Sequence, residues 1–236
     1  VWLNQPAEHE RHQRQALIND EIRQVRERFK EALQALKTSR RYGERSERWR
    51  EELPWYLLIG EQGSGKTSLL AASGLPSALD SPETAPQGAT SWCEWYFAEE
   101  AVLVEAAGRY LGQPDSSVDE AGWSTLLDML KRRRRSRPLN GVVVTLSVDT
   151  LSSSNEHDLE RHARHVRTRL QDIQQTLHVD VPVYLVLTQS DRLAGFSEFF
   201  DAQQGDDAEQ VLGGYLGTDL VQVRAVFESL LQRLGG

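Results

Sequence analysis

The sequence predicts an α/β protein in which a mostly parallel sheet, with one antiparallel hairpin strand, is flanked by helices and preceded by an N-terminal helical extension. After Pro54, short apolar runs alternate with amphipathic helical patterns, which is typical of a parallel sheet covered by helices. The first apolar run ends in the glycine-rich segment G-E-Q-G-S-G-K-T. Residues 7–52, in contrast, are crowded with Glu, Arg and Gln and contain almost no Gly or Pro.

Length and composition exclude several classes of protein. The chain has 236 residues, and 27 Lys and Arg against 35 Asp and Glu give a formal charge of −8, which argues against general nucleic-acid binding. A single cysteine, Cys93, excludes an internal disulfide framework and a multi-cysteine zinc site. No apolar run approaches the roughly 20 residues that span a bilayer, and no signal-peptide pattern opens the chain. We therefore expect this fragment itself to be soluble and intracellular.

Residues 1–52 are predicted to form an amphipathic helical extension, with a long helix over 7–52. Apolar side chains recur there at steps of three and four, which places them on one face of a helix: Ile18, Ile22, Val25, Phe29, Leu33 and Leu36. The plain interpretation is a helix that packs on a neighbouring element. The alternative is a helix lying on a membrane surface, although its polar face is mixed in sign rather than strongly basic.

Residues 53–205 are predicted to form the α/β domain. Trp55–Ile59 is the first strand, and a helical stretch follows the glycine-rich loop as far as Ser73, closed by Gly74. Residues 75–91 contain three prolines and several small polar residues, which indicates a loop. Residues 93–98 and 101–107 are strand-like and joined by two glutamates, which indicates an antiparallel hairpin.

The second half of the chain continues the alternation of helices and strands. A helix marked by Trp123 and Leu130 runs into the basic segment 131–137, and 141–148 and 181–188 both have the Val-rich pattern of buried strands. Between these strands, Ser153 and Glu156 form a possible capping box for an amphipathic helix. Residues 206–236 are predicted to be a C-terminal helical segment, with Asp219 as the cap of the final helix.

The strongest chemical signal is residues 60–67, which match the phosphate-binding pattern G-x-x-x-x-G-K-[ST] without exception. Glycines let successive backbone N–H groups converge on phosphate oxygens, the lysine neutralises them, and the threonine offers its hydroxyl to Mg²⁺. A glycine turn with an incidental lysine is the alternative. The candidate nucleotide-binding residues of this segment are Gly60, Gly63, Ser64, Gly65, Lys66, Thr67 and Ser68.

The third strand ends in E-A-A-G-R, at the place where Ras-like NTPases carry D-x-x-G. By this comparison Glu105 would hold Mg²⁺ together with Thr67, and the N–H of Gly108 would meet the γ-phosphate. The alternative is an ordinary exit from a strand. Arg109 stands where Ras-type enzymes have a glutamine that orients water, and arginine has no acceptor for that task. We therefore expect hydrolysis to be slow or dependent on a partner.

The fifth strand ends in Thr188-Gln189-Ser190-Asp191, where guanine-specific NTPases carry N-K-x-D. Asp191 would accept hydrogen bonds from the guanine N1–H and 2-amino group, which favours GTP, although ATP remains possible. Gln189 replaces the lysine whose stem covers the base. A simple turn residue is the alternative role for Asp191.

These residues resemble the IcmF/TssM inner-membrane proteins of bacterial type VI secretion and their type IV relatives. The similarity covers roughly residues 53–216, in islands at 53–56, 60–67, 73–75, 93–97, 101–110, 137–142, 181–184, 191–196 and 198–200. It departs from the family pattern at two places, with E-A-A-G for D-T-A-G and T-Q-S-D for T-K-C-D. The first departure bears on Mg²⁺ affinity and turnover, and the second on base selectivity.

The resemblance implies a Ras-like P-loop NTPase fold that binds GTP or ATP with Mg²⁺, in which Thr90 is the switch threonine. It implies transmembrane helices before this segment and a large periplasmic part after it, so that this domain would sit at the cytoplasmic face of the inner membrane. The expected partners are other type VI membrane-complex and baseplate proteins. A nucleotide-dependent switch, a degenerate NTPase-fold scaffold and an ATPase motor are the functions to be distinguished.

Weaker features have plainer interpretations. The basic segment 131–137 is either a set of solvated cations at a helix C-terminus or a contact for anionic lipid heads or an acidic partner. His162 and His165 share a helix face, but no carboxylate cluster completes a metal site. The aromatic run 95–97 is expected to pack within the sheet rather than to stack on bases, and Cys93 to be a small buried residue.

Overall fold

The computed structural model describes residues 5–38, 52–73, 89–98, 101–201, 213–217 and 220–235. The chain divides into two compact units, Val1–Arg192 and Leu193–Gly236. The predicted cap Asp219, the predicted helix end at Gly74 and most of the predicted loop 75–91 lie outside the described residues.

The first unit contains a five-stranded sheet. Its strands are β1 (Trp55–Ile59), β2 (Cys93–Phe97), β3 (Val102–Ala106), β4 (Gly141–Ser147) and β5 (Val183–Thr188), in the spatial order β2-β3-β1-β4-β5. The pairs β1–β3, β1–β4 and β4–β5 are parallel, and β2 is antiparallel to β3. The predicted mostly parallel sheet with one hairpin strand is confirmed. Because the parallel strands point the same way, the loops that follow β1, β3, β4 and β5 emerge at one edge of the sheet.

One helix precedes the sheet and others lie in the connections between its strands. Within the described residues of the first unit the helices are α1 (Gln5–Thr38), α2 (Lys66–Ala72), α3 (Arg109–Gly112), α4 (Ser116–Arg133), α5 (Val148–Ser153) and α6 (Glu156–Leu177). A 3₁₀ turn, Ser190–Arg192, follows β5. The second unit contains α7 (Phe196–Asp201) and α8 (Leu220–Gly235). No helix in the described ranges is long and apolar enough to cross a bilayer.

Helix α1 packs into the core of the first unit with the face that its sequence pattern predicts. Val25, Phe29 and Leu36 are buried, and the ring of Phe29 meets that of Trp95 on β2 edge to face at 4.9 Å. The interpretation of a helix that packs on a neighbouring element is confirmed. The helix is described from Gln5 to Thr38, and the part of the predicted helix over residues 39–51 lies outside the described residues.

Aromatic side chains fill the interior between α1, α4 and the sheet. Trp55, Trp95 and Trp123 are each almost fully buried, and the rings of Trp55 and Trp95 are 5.2 Å apart. Cys93 lies among them, and burial raises the pKa of its thiol to about 12. The predictions of aromatic packing within β2 and of a small buried cysteine are confirmed.

The predicted capping box of α6 is wrong. Asn155 caps the helix, and its side-chain oxygen accepts the backbone N–H of Asp158 at 2.9 Å. Ser153 belongs to the last turn of α5, where its hydroxyl donates to the carbonyl of Asp149. The cause is position, since Asn155 directly precedes the first helical residue and is as good a cap as serine.

Strand β5 is shorter and far more exposed than its apolar sequence predicts. It begins at Val183 rather than at residue 181, and it pairs with β4 alone among the described strands. Val183, Tyr184, Leu185 and Leu187 are each about half exposed. A Val- and Leu-rich run indicates burial on both faces, but periodicity carries no information on whether a strand lies at the centre or the edge of a sheet.

The basic segment 131–137 is not uniformly solvated. Helix α4 ends at Arg133, and the next residue, Arg134, is buried. Its guanidinium lies 5.2 Å from the ring centre of Trp55 and donates to Asn140 Oδ1 at 3.2 Å. This arginine therefore ties the end of α4 to the start of β1 and β4.

Replacing Phe29 by alanine tests α1 as a core element. Because Phe29 is buried against Trp95, Phe29→Ala is expected to lower the free energy of unfolding by about 3–5 kcal/mol. Leu17, on the same helix but 57% exposed, is the control, and Leu17→Ala should cost no more than about 0.5 kcal/mol. Denaturant unfolding measures both. Equal small losses would show that α1 does not belong to the core.

Candidate functional site

The glycine-rich loop lies between β1 and α2 and needs its glycines for different reasons. Gly63 and Gly65 have φ angles of +82° and +77°, in the left-handed region that side chains disfavour. Gly60 has no room for a side chain, since a Cβ there would lie 2.2 Å from Thr145 Oγ1. The loop therefore has the tightly coiled shape that its sequence motif predicts.

Side chains from the neighbouring strands hold this loop in place. Thr145 of β4 shares a hydroxyl–hydroxyl hydrogen bond of 2.7 Å with Ser64. Thr188, the last residue of β5, donates its hydroxyl to the carbonyl of Ser64 at 2.6 Å, and Gln189 donates its side-chain amide to the carbonyl of Gly63 at 2.8 Å. The predicted site residue Gln189 thus contacts the loop itself.

Lys66 is folded back under the loop. Its ammonium donates to the carbonyl oxygens of Gly60 at 2.9 Å and Glu61 at 3.0 Å, and the residue is only 5% exposed. Burial lowers the pKa of Lys66, opposed by the charges of Glu105 and Glu61. Both of these acceptors are neutral carbonyls. Among the described residues, the negative charges that act on this ammonium are those of Glu105 and Glu61, at longer range.

Thr67 and Glu105 meet at the other side of the loop. The hydroxyl of Thr67 donates to Glu105 Oε1 at 2.8 Å, and the hydroxyl of Tyr96 lies 3.4 Å from the second carboxylate oxygen. Glu105 is 1% exposed. The arrangement therefore places two hard oxygen donors side by side. No group of three or more His, Cys, Asp or Glu side chains arranged for a metal ion occurs within the described ranges.

Gly108, which follows β3, lies directly against the glycine-rich loop. A Cβ on this residue would be 2.4 Å from the backbone nitrogen of Gln62 and 2.6 Å from its Cα. The exit from β3 and the loop are therefore in backbone contact.

Arg109 is engaged away from the loop's backbone. Its guanidinium donates to Glu21 Oε1 of α1 at 2.6 Å, to the carbonyl of Ser91 at 2.9 Å and to the carboxylate of Asp119 on α4. Burial alone lowers the pKa of this guanidinium, but the hydrogen bonds to Asp119 and Glu21 outweigh it and raise the pKa. Arg109 therefore joins two helices and the segment before β2.

The remaining predicted residues lie around the loop. Ser68 is exposed in the first turn of α2, and Asp191 is exposed in the 3₁₀ turn that follows Gln189. Thr90 has a buried hydroxyl with no partner within the described ranges. Thr90 and Gly108 both line a cavity of about 800 Å³ that Gln62 also borders.

Three acidic residues belong to the surroundings of the site although sequence reasoning gave them no role. Glu61 Oε1 lies 2.9 Å from Nδ1 of His162, and this contact lowers the pKa of Glu61. Asp119 and Glu21 hold Arg109. A signal for Glu21 was present, since it stands three residues after Ile18 and four before Val25, inside the apolar stripe of α1.

Replacing Gly108 by alanine tests the contact between the exit of β3 and the loop. The methyl group would enter the backbone of Gln62, so Gly108→Ala should destabilise the fold by about 1–3 kcal/mol. Gly112 in α3 is the control, because a Cβ there would meet His165 at an ordinary 3.4 Å. Gly112→Ala should be neutral or stabilising. Thermal unfolding compares the two, and a tolerated Gly108→Ala would contradict the contact.

Comparison with known proteins shows which family of proteins this chain is related to. Residues 116–235 match the family model for the IcmF-related N-terminal domain. The type VI secretion system component TssM1 of Pseudomonas aeruginosa is 39% identical over 203 residues, which cover 82% of this chain and 18% of that protein. The chain thus spans about a fifth of the length of this relative.

Among solved structures, a small COPII coat GTPase SAR1 from Encephalitozoon cuniculi in complex with GDP is 11% identical. The match covers 91% of this chain and 93% of that one, with a TM-score of 0.24, too low to support an argument. The family model covers half of the chain, and the secretion component agrees with it. The chain therefore belongs to the IcmF/TssM family.

Proposed function

We propose that this domain has a Ras-like P-loop NTPase fold and binds GTP or ATP with Mg²⁺ as a switch in a type VI secretion inner-membrane protein, with slow or partner-dependent hydrolysis. One observation carries the proposal: the motif at 60–67 is folded as a coiled loop between β1 and α2, with Lys66 buried beneath it. A loop of this kind presents backbone N–H groups to phosphate oxygens.

The residues of the loop fit a chain of phosphates. The first N–H groups of α2 have no acceptor within the helix, and the left-handed glycines allow the preceding N–H groups to converge. Lys66 carries a buried positive charge whose recorded partners are carbonyl oxygens. A phosphate would supply a direct anionic acceptor, which this ammonium does not have among the described residues.

Thr67 and Glu105 fit the role of Mg²⁺ ligands. Mg²⁺ prefers oxygen donors and commonly takes only one or two from the protein, the others coming from phosphates and water. The adjacent hydroxyl and buried carboxylate match this demand. When bound, the ion would neutralise phosphate charge, and Tyr96 would keep the orientation of the Glu105 carboxylate.

The choice of base rests on the residues after β5. The side-chain amide of Gln189 donates to the carbonyl of Gly63, and the hydroxyl of Thr188 donates to the carbonyl of Ser64, so neither group is directed at a base. Asp191, exposed in the next turn, is left as the residue that would accept the guanine N1–H and 2-amino group. We therefore favour GTP over ATP.

Slow hydrolysis follows from Arg109. An arginine offers donors only, so it cannot accept a proton from water. In addition, its guanidinium is occupied by Glu21, Asp119 and Ser91. A partner would have to supply the missing group or rearrange this contact.

A second candidate is a catalytically degenerate scaffold that docks baseplate and membrane-complex partners. The observation that favours it is that Lys66 and Thr67 already have protein partners in the loop and in Glu105. For a scaffold, nucleotide binding would be absent while assembly with the secretion proteins persisted.

The cellular setting of the proposal comes from the relatives. A family relationship with a type VI secretion component supports a role in that system, with other membrane-complex and baseplate proteins as partners. We propose that the domain lies at the cytoplasmic face of the bacterial inner membrane. Contact with the bilayer would come through segments of the protein outside this chain.

Titration calorimetry tests nucleotide binding. The wild type is expected to bind Mg·GTP or Mg·ATP with a Kd well below about 1 mM. Lys66→Ala should abolish the binding, because it removes the buried cation. Lys37→Ala, at an exposed position in the last turn of α1, is the matched control and should bind as the wild type does. Absence of binding to either nucleotide would favour the scaffold.

Base preference is tested at Asp191. Asp191→Ala should weaken GTP binding about tenfold or more, as expected when a site loses a charged hydrogen-bond partner, and should leave ATP binding unchanged. Asp180, exposed before β5, provides the control Asp180→Ala. Competition against a fluorescent guanine nucleotide measures both. Equal losses for GTP and ATP would assign Asp191 to the turn rather than to the base.

A further inference from the structure

One carboxylate of α1 gathers hydrogen bonds from three side chains of the domain. Glu21 Oε1 accepts the guanidinium of Arg109 at 2.6 Å and the hydroxyl of Tyr110, and Oε2 accepts the indole N–H of Trp92 at 3.1 Å. Glu21 is 6% exposed. A charge buried to this degree is stable only while its partners remain in place.

The partners of Glu21 belong to the two segments that border the glycine-rich loop. Trp92 comes two residues after Thr90, and Arg109 and Tyr110 directly follow Gly108. Since Gly108 is in backbone contact with Gln62, a continuous path runs from α1 through Arg109 and Gly108 to the loop.

The carboxylate of Glu21 is closely packed against α4. A Cβ on Gly122 of α4 would lie 2.3 Å from Glu21 Oε1 and 2.6 Å from the hydroxyl of Tyr110. One turn earlier in α4, the carboxylate of Asp119 forms an ion pair with Nη1 of Arg109. If α1 shifted, Arg109 and Glu21 would lose each other, and a buried ion pair with one partner removed is strongly unfavourable. The arrangement therefore favours two discrete positions of α1 around residue 21, one with the contact to Arg109 made and one with it broken.

Space for such a rearrangement exists beside the path. The cavity of about 800 Å³ is bordered by Glu21 and Arg109 on one side and by Gln62, Thr90 and Gly108 on the other. This cavity leaves room for the side chains of Glu21 and Arg109 to change conformation.

We propose that Glu21 is a positioning residue that holds Gly108 against the glycine-rich loop, so that docking of α1 and binding of a third phosphate are coupled. This inference rests on the proposed nucleotide binding. By linkage, α1 raises affinity for a triphosphate, and a bound triphosphate stabilises α1 in its seat to the same degree. The diphosphate, which does not reach Gly108, is indifferent to α1.

Replacing Glu21 by glutamine separates this role from a general structural one. Glu21→Gln keeps the shape of the side chain and removes the charge that Arg109 needs. The variant is expected to bind a non-hydrolysable GTP analogue with Mg²⁺ at least tenfold more weakly than the wild type, and to bind GDP within about twofold. Glu27→Gln, an exposed position on the same helix paired with Arg23, should match the wild type for both nucleotides.

Equal losses for the analogue and GDP, or no loss for either, would overturn the inference. Absence of all nucleotide binding by the wild type would overturn the proposed function, and the inference with it. Thermal unfolding of each variant shows whether it is folded.

Hydrogen exchange on the wild type gives a second measurement that needs no variant. Adding the GTP analogue with Mg²⁺ should slow exchange in α1 around residues 18–24, which surround Glu21. It should leave residues 29–36 unchanged, because these pack on the aromatic core instead. Adding GDP should slow neither. A uniform response of α1, or none, to the analogue would contradict the coupling.

Discussion

The glycine-rich loop depends on hydrogen bonds from the strands beside it. Backbone atoms of a coiled loop lack the ladder partners of a strand or helix, so their carbonyls need other donors. The loop is held by hydrogen bonds from Thr145 of β4 and from Thr188 and Gln189 at the end of β5. The ammonium of Lys66 adds a hydrogen bond to the carbonyl of Gly60. Parallel strands make this possible, because their carboxyl ends all arrive at the same edge of the sheet. The sheet is therefore what gives the loop its shape.

The architecture was largely predictable because it rests on local patterns. Short stretches of sequence are enough to predict the alternation of apolar strands and amphipathic helices, the hairpin and the coiled loop. The buried face of α1 was predictable for the same reason. Long-range placement was not predictable. Nothing local to β5 indicates that it pairs with β4 alone among the described strands, and nothing local to Arg134 indicates that its guanidinium lies over the ring of Trp55.

The candidate site divides in the same way. The loop residues and the pairing of Thr67 with Glu105 follow from motif order, since the sheet brings the ends of β1 and β3 together. The partners of Arg109 do not, because Glu21 and Asp119 come from helices distant in sequence. A polar residue within an apolar helical stripe is the sign that such a contact leaves, and Glu21 shows it. Through Glu21, helix α1, which the composition indicates to be an extension of the domain, is joined to Arg109 beside the candidate site.

The exposed apolar side chains of β5 have a practical consequence for work with the isolated chain. β5 is the outermost of the described strands on its side of the sheet, and natural proteins usually protect the edge strands of sheets with charge or proline. The apolar side chains from Val183 to Leu187 provide no such guard. An exposed apolar strand at an edge favours association between chains as the concentration rises, so light scattering over a dilution series should accompany any titration. Leu185→Lys would place a charge on the exposed face of this strand.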